Sequence, residues 1–275
     1  MPAAIRLNDG VEIPQLGLGV WQVDDEQATG VVLTAFEAGY RHVDSAQGYG
    51  NEAGVGRAIA QSGLPRNEVF LTTKLTNQFH KREDARRATE ESLEKLGLDY
   101  IDLYLIHWPA VIKYGEAYLE AWEVLNEVKA EGLVRSIGVS NFNPDHLDRL
   151  LTVSDTVPSV DQVECHPTFS RTDIAPELAR RGIALEAWSP LGQAKDLQDR
   201  AIGAIAADLG RTPAQVIIRW HLQKGNIVIP KSVTPSRIAE NADVFSFELS
   251  ADQMATIDGL DSGNRIGSDP ATATF

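Results

Sequence analysis

Cysteine is almost absent from this 275-residue sequence, because Cys165 is the only one. No disulfide within the chain is therefore possible, which is typical of proteins from a reducing compartment. Apolar residues make up 43% of the chain, yet no run of them approaches the roughly 20 residues that a membrane span needs. The opening segment MPAAIRLNDG also lacks the charged and apolar regions of a signal peptide. We expect a cytoplasmic protein that has no membrane partner.

Basic residues are also few relative to acidic ones. The chain has 25 lysines and arginines against 39 aspartates and glutamates, which gives a formal net charge of −14. Nucleic acids and anionic membranes attract basic surfaces, so this balance excludes them as the main partner. A small-molecule partner is expected instead. We also expect a monomer, although the composition contains nothing that bears on assembly.

Short apolar runs alternate with longer amphipathic stretches along the chain. Asp9-Gly10 stands between two alternating runs, which predicts a β-hairpin. Eight strand-like runs follow, at residues 15–19, 41–44, 69–74, 101–107, 134–140, 159–164, 184–189 and 226–230. Helix-like stretches lie between them, for example at residues 26–38, 82–96, 118–131 and 213–224. Thr212-Pro213 is a typical helix start, with an N-cap residue before a proline.

Alternating strands and helices predict a parallel sheet, and eight such units in this length predict a closed (β/α)8 TIM barrel. The fold class is therefore α/β, in one domain over residues 1–275 with an N-terminal hairpin. The polar tail SGNRIGSDPATATF could fold over the top face or extend into solvent, and we place it over the top face.

Most of the predicted strands end in a polar residue. These residues are Asp44, Lys74, His107, Ser140-Asn141, Glu164, Ser189 and Lys231. Catalytic groups of such barrels lie at the carboxyl ends of the strands, so the polar strand ends are candidates for one shared site.

A glycine-rich stretch near residue 50 could suggest a Rossmann dinucleotide site. Residues 48–53, GYGNEA, fit G-x-G-x-x-A after a strand and before a helix. That fingerprint also needs an acidic residue at the end of the next strand, to bind a ribose. Here the next strand ends in Lys74, and the bulky Tyr49 stands where the backbone should approach pyrophosphate. The Rossmann interpretation is therefore rejected.

Three long motifs carry a more specific signal. They are GYRHVDSAQGYGNEAGVG at 39–56, GLVRSIGVSNF at 132–142 and IPKSVTPSRIAEN at 229–241. Together with LNDG and LIHWP, the sequence resembles the aldo-keto reductases over nearly its whole length, and most of all the short bacterial members of the 2,5-diketo-gluconate reductase type. The resemblance implies reduction of a carbonyl group by hydride from a nicotinamide cofactor.

The resemblance implies a catalytic tetrad of Asp44, Tyr49, Lys74 and His107. Tyr49 would donate the proton, but a free phenol with a pKa of about 10 is a poor donor near neutrality. Lys74 would lower that pKa, and Asp44 would keep Lys74 charged. His107 would direct a ring N–H at the carbonyl oxygen. Taken singly, each residue could instead have a structural role, such as an N-cap, an ion pair or a core histidine.

The resemblance also implies NADPH as the cofactor. The residues expected to contact it are Ser140, Asn141, Gln162, Trp188, Ser189, Leu191, Gln193, Ile229, Lys231, Ser232, Val233, Arg237 and Asn241. Lys231 and Arg237 favour NADPH over NADH, because two cations beside a helix start suit a 2′-phosphate. Trp21 and Trp108 are expected as walls of the substrate pocket, with core packing as the alternative.

Two positions depart from the family pattern. Thr76 stands where many relatives have tryptophan, and Asp161 where asparagine is expected. The leading function is NADPH-dependent reduction of aldehydes, α-dicarbonyls or keto-sugars to alcohols. Two alternatives stay open: an aldolase with Lys74 as its Schiff-base nucleophile, and a non-catalytic NADPH sensor. Cys165-His166-Pro167 offers too few ligands for a metal site, and none is expected.

Overall fold

The computed structural model describes residues 3–275. Met1 and Pro2, which belong to the predicted domain and to the opening segment, lie outside the described residues. Within the described range the strands are β1 (Ala4–Arg6), β2 (Glu12–Pro14), β3 (Leu18–Gly19), β4 (His42–Asp44), β5 (Phe70–Leu75), β6 (Ile101–Ile106), β7 (Val134–Ser140), β8 (Val160–Glu164), β9 (Ala184–Trp188) and β10 (Ile227–Val228). The helices are α1 (Asp25–Glu37), α2 (Glu52–Gln61), α3 (Arg82–Leu96), α4 (Val111–Tyr114), α5 (Tyr118–Ala130), α6 (Pro144–Leu150), α7 (Ala175–Arg181), α8 (Arg200–Leu209), α9 (Pro213–Gln223), α10 (Pro235–Ala242) and α11 (Ala251–Asp258).

The predicted hairpin is present at the start of the chain. β1 and β2 pair antiparallel, with Ile5 opposite Ile13. Gly10 has a φ of +88°, a backbone conformation that glycine adopts without steric cost. Leu7 and Ile13 are buried against strand residues such as Phe70 and Leu103, so the hairpin covers the amino-terminal mouth of the sheet.

The eight strands β3–β10 form one parallel sheet in chain order. Hydrogen bonds across the seam close the sheet: Gly17 N–H donates to Val228 O at 2.9 Å, and Val228 N–H donates to Gln15 O at 2.9 Å. Gly19 N–H continues the seam to Pro230 O at 3.2 Å. The predicted (β/α)8 barrel is confirmed.

Most predicted helix bounds agree with the structure to within one residue. α3 spans residues 82–96 as expected, and α9 begins at Pro213 after the N-cap Thr212. The Thr212 hydroxyl accepts a hydrogen bond from Gln215 N–H at 3.3 Å, and the Gln215 side chain accepts one in return. This capping box fixes where α9 starts, which explains why local sequence located it well. No helix within residues 3–275 is long and apolar enough to cross a membrane.

The C-terminal tail lies over the carboxyl ends of the strands. Ile266, Gly267, Ser268 and Phe275 line the cavity found there. The Phe275 ring meets the Trp108 ring edge to face, with 5.1 Å between the centroids. The tail therefore forms one wall of the site.

Candidate active site

The polar strand ends converge on one cavity of about 580 Å³ at the top of the barrel. Residues from seven of the eight strand ends and from the tail line it: Gly19, Trp21, Asp44, Tyr49, His107, Trp108, Ser140, Asn141, Gln162, Trp188, Ser189, Pro190, Gln193, Ile229, Lys231, Ile266, Gly267, Ser268 and Phe275. Most of the predicted site residues are among them. The cavity is concave and mixes aromatic walls with a few polar groups, as ligand sites do.

An ion pair between Asp44 and Lys74 forms the floor of the cavity. Lys74 Nζ lies 2.6 Å from Asp44 Oδ1 and donates to the backbone oxygen of Ser45 at 2.8 Å. Its third neighbour is the hydroxyl of Tyr49, 3.4 Å away. Tyr49 belongs to the single 3-10 turn Gln47–Tyr49 after β4, so a short loop places the phenol above a rigid strand pair.

Burial and charge act against each other at these three groups. Burial raises the pKa of Asp44 despite the ammonium beside it. Burial alone would lower the pKa of Lys74, but Asp44 and Tyr49 offset it, so that pKa is raised and the ammonium stays charged. Burial also raises the pKa of Tyr49, and Lys74 opposes that change without reversing it. Lys74 thus acts on the phenol in the expected direction, although desolvation is the larger effect.

His107 faces Tyr49 across the cavity. Their ring centroids are 5.7 Å apart at an interplanar angle of 75°. Burial, helped by the charge of Lys74, lowers the pKa of His107 to about 3. The imidazole is therefore neutral near pH 7 and keeps one N–H that can donate to a ligand.

A second buried carboxyl group lies beneath the tetrad, and the sequence analysis missed it. Gln162 Nε2 donates to Asp44 Oδ2 at 2.7 Å and to Glu186 Oε2 at 3.0 Å. His42 Nε2 is 3.7 Å from Glu186 Oε1. Burial and the charge of Asp44 raise the pKa of Glu186 to about 8, so its carboxyl is protonated at neutral pH. A charged residue inside the otherwise apolar strand ALEAW was the signal that could have revealed it.

Asn141 connects two sides of the cavity. Its Oδ1 accepts a hydrogen bond from Trp188 Nε1 at 2.9 Å, and its Nδ2 donates to His107 O at 3.0 Å. The residue has a φ of +62°, which asparagine tolerates better than most residues. Ser140 Oγ donates to Gln162 O at 2.7 Å. These bonds hold the Trp188 ring in one orientation against the cavity.

The residues expected to contact the cofactor divide into two groups. Ser140, Asn141, Gln162, Trp188, Ser189, Gln193, Ile229 and Lys231 line the cavity, whereas Leu191, Ser232, Val233, Arg237 and Asn241 lie outside it, on or near α10 and the loop after β9. The side chains of Lys231 and Arg237 are exposed. Neither forms an ion pair with any carboxylate in residues 3–275, and two unpaired cations near one helix start could hold an anion.

Aromatic rings form the outer wall of the cavity. Trp21 is 46% exposed, so it belongs to the rim and not to the core. Trp108 packs on Phe275, a tail residue that the sequence analysis did not single out. Thr76 is absent from the lining residues. Asp161 is buried behind the cavity, and burial raises its pKa to about 8.

Comparisons with known proteins identify relatives over nearly the whole chain. Residues 14–262 match the model of the Aldo/keto reductase family. The chain is 49% identical over 275 residues to an aldo-keto reductase of Mycolicibacterium smegmatis, covering 100% of this chain and 99% of that protein. It is 48% identical over 271 residues to the methylglyoxal reductase DkgA of Escherichia coli, covering 98% of this chain and 97% of that protein.

Solved structures are similar over the full length. Gox0644 in its apoform matches with a TM-score of 0.95 and 46% identity, covering 100% of both chains. A mutant of Gox0644 in complex with NADPH matches with a TM-score of 0.96 and the same identity and coverage. The fold and these matches define an oxidoreductase that acts on carbonyl compounds. The chain belongs to the aldo-keto reductase family.

Proposed function

We propose that this protein reduces aldehydes, α-dicarbonyls or keto-sugars to alcohols with NADPH, and that Tyr49 donates the proton. One observation supports this most strongly: the Tyr49 hydroxyl lies 3.4 Å from Lys74 Nζ, inside the cavity that His107 also faces. A phenol beside a permanent ammonium can deliver a proton and leave as a stabilised phenolate.

The residues present fit a nicotinamide nucleotide. Trp188 offers a flat face on the cavity wall, and the unpaired cations Lys231 and Arg237 suit a 2′-phosphate. NADPH, when bound, supplies the hydride that no side chain can provide. The complex of Gox0644 with NADPH supports the same cofactor for this chain. We assign Ser140, Asn141 and Gln162 to the nicotinamide end and the residues around α10 to the adenosine end.

Each residue of the tetrad then has its own role in the transfer of the proton. Neutral His107 directs a ring N–H at the carbonyl oxygen, which orients the substrate and stabilises the negative charge that develops on that oxygen. Tyr49 transfers its proton to the same oxygen as the charge develops. Lys74 stabilises the resulting phenolate, and Asp44 holds Lys74 in place and charged.

The substrate class follows from the cavity and from a relative. Aromatic walls around about 580 Å³ suit a small carbonyl compound rather than a polymer. DkgA of Escherichia coli, 48% identical, is named a methylglyoxal reductase, which favours α-dicarbonyls among the candidates. We also propose that the protein acts as a single-domain monomer in the cytoplasm.

An aldolase function fits the geometry poorly. A Schiff-base lysine must lose its proton, whereas Lys74 is ion-paired with Asp44 at 2.6 Å and its pKa is raised. It also gives no role to Lys231 and Arg237. A non-catalytic sensor would leave the complete tetrad without a purpose.

The direct test mixes purified protein with NADPH and a panel of aldehydes, α-dicarbonyls and keto-sugars, while the absorbance of reduced nicotinamide is followed. We expect turnover with at least one class and a ranking among them. NADPH binding without turnover on any substrate would support the sensor. Trapping of a keto substrate by borohydride, without any need for NADPH, would support the aldolase.

Cofactor preference provides a prediction for the adenosine end. Replacing Lys231 or Arg237 by alanine should weaken NADPH binding more than NADH binding by about 1–3 kcal/mol, because a charge-assisted hydrogen bond to the 2′-phosphate is lost. Fluorescence titration with both cofactors measures the difference. Lys81→Ala, which removes an exposed lysine that pairs with Glu120 just before α3, is the control. Equal losses for NADPH and NADH would contradict the 2′-phosphate role.

Glu186 provides a prediction about pH. The raised pKa of about 8 means that the carboxyl is neutral below that pH and ionises above it. The ionised form faces Asp44, Lys74, His42 and Tyr49, and its negative charge raises the pKa of Tyr49 further. The rate of single-turnover reduction should therefore fall as the pH rises through about 8. This step in the pH profile should be absent from Glu186→Gln.

The control for the pH profile is Glu248→Gln, which alters an exposed ion pair with Arg219 on the outer surface. It should keep the wild-type profile. If Glu186→Gln keeps the step near pH 8 as well, another group is responsible for it.

A further inference from the structure

The motif Cys165-His166-Pro167 has no part in the proposed chemistry, yet His166 has an unusual environment. Its side chain is fully buried, and each ring nitrogen meets a carboxylate. Nδ1 lies 2.9 Å from Asp196 Oδ2, and Nε2 lies 3.1 Å from Glu164 Oε1. Burial alone would lower the pKa of His166, but these two hydrogen bonds offset it and raise the pKa above 6.5. A protonated ring donates to both carboxylates at once.

Glu164, on one side of His166, holds the C-terminal tail. Glu164 Oε1 accepts from Ile266 N–H at 2.6 Å, and Oε2 accepts from Gly267 N–H at 2.9 Å. The tail passes so close to the cavity wall that a Cβ at residue 267 would lie 2.4 Å from Cη2 of Trp188. Glu164 therefore fixes the tail where it covers Trp188.

Asp196, on the other side of His166, belongs to the loop after β9, which also borders the cavity. Asp196 Oδ1 accepts from Thr168 Oγ1 at 2.9 Å, so the carboxylate is fully engaged. A Cβ at Gly192 would lie 2.7 Å from Asp196 Cγ, which shows that this side chain packs directly under the loop backbone. The next residue, Gln193, lines the cavity and has a φ of +50°.

We propose that His166 is a positioning residue that ties the C-terminal tail to the 192–196 loop through Glu164 and Asp196. The two walls of the cavity then open together when the cofactor enters or leaves. This inference rests on the proposed function for its effect on NADPH, but the mechanical link itself does not depend on it. Without a protonated His166 between them, the buried carboxylates of Glu164 and Asp196 would repel each other. The C-terminal tail and the 192–196 loop would then each be held less firmly.

The test compares wild type with His166→Gln, which cannot carry the charge. Hydrogen exchange is measured without cofactor over peptides that cover residues 192–199 and 262–268. Exchange should accelerate in both segments together, by about tenfold or more, as expected when a charge-assisted hydrogen bond is lost. NADPH release, followed by stopped-flow fluorescence, should accelerate by a similar factor, while single-turnover reduction changes by less than about threefold.

His146→Gln is the matched control. His146 is also buried, but it caps α6, where it accepts from Asn143 N–H at 3.1 Å. It should leave exchange in both segments and NADPH release unchanged. Asp196→Asn is a milder variant in case His166→Gln does not fold, and it should shift exchange in the same direction by a smaller factor.

The possible outcomes distinguish the coupling between the tail and the 192–196 loop from the proposed NADPH-dependent function. Faster exchange in only one segment, or in neither, overturns the link even if NADPH binds and turns over. Coupled loosening of both segments in a protein that does not bind NADPH supports the link and refutes the proposed function. Coupled loosening with unchanged NADPH release shows that the link does not control the cofactor, and it overturns that part of the inference.

Discussion

Replacing Tyr49 by phenylalanine is expected to lower the rate of carbonyl reduction by about 100-fold or more and to leave NADPH affinity within about threefold. The change removes one oxygen, the atom that lies 3.4 Å from Lys74 Nζ. The ring that packs edge-on against His107 stays in place, so the cavity keeps its shape. Single-turnover measurements with saturating NADPH isolate the chemical step from cofactor release.

A second tyrosine supplies the control for this result. Tyr40 is buried at 3% exposure in the core, away from the cavity. Tyr40→Phe should reduce carbonyls at nearly the wild-type rate. A Tyr49→Phe protein as active as wild type would show that the proton comes from elsewhere, with His107 or a water molecule as the next candidates to test.

The barrel could be predicted because its signals are local. Most strands are short apolar runs that end in a polar residue, and capping residues such as Thr212 mark helix starts. The last polar residue of a run also marks the carboxyl end of the strand. For this reason Asp44, Lys74 and His107 could be identified as one group from the sequence, before any distance between them was known.

The rest of the site depends on contacts between distant parts of the chain. Glu186 lies within a strand that is buried on both sides, where alternation does not reveal which residues face the barrel interior. Phe275 reaches Trp108 only because the tail folds back over the barrel, and 167 residues separate the two in sequence. The seam strands β3 and β10 are shorter than predicted, because barrel closure uses isolated hydrogen bonds at residues 15–19 and 228–230.

Replacing Lys74 by methionine should have the largest combined effect on activity and stability. Lys74 is completely buried and Asp44 nearly so, at 2% exposure. Removing one partner of a buried pair leaves an uncompensated charge, which typically costs about 3–5 kcal/mol of unfolding free energy. The reduction rate should also fall by about 100-fold or more, because the phenolate of Tyr49 loses the cation that stabilises it. Chemical denaturation and single-turnover kinetics measure the two effects separately.

The double variant Asp44→Asn, Lys74→Met separates stability from catalysis. With both charges gone, the unfolding free energy should return to within about 1 kcal/mol of wild type, while the reduction rate stays low.

The stability loss of Lys74→Met alone should shrink as the pH falls from 8 to 5. The pKa of Asp44 is already raised by burial, so without Lys74 the carboxyl takes up a proton more readily. A stability loss that does not change with pH, or a double variant as unstable as Lys74→Met, would show that the pair is not the source of the cost.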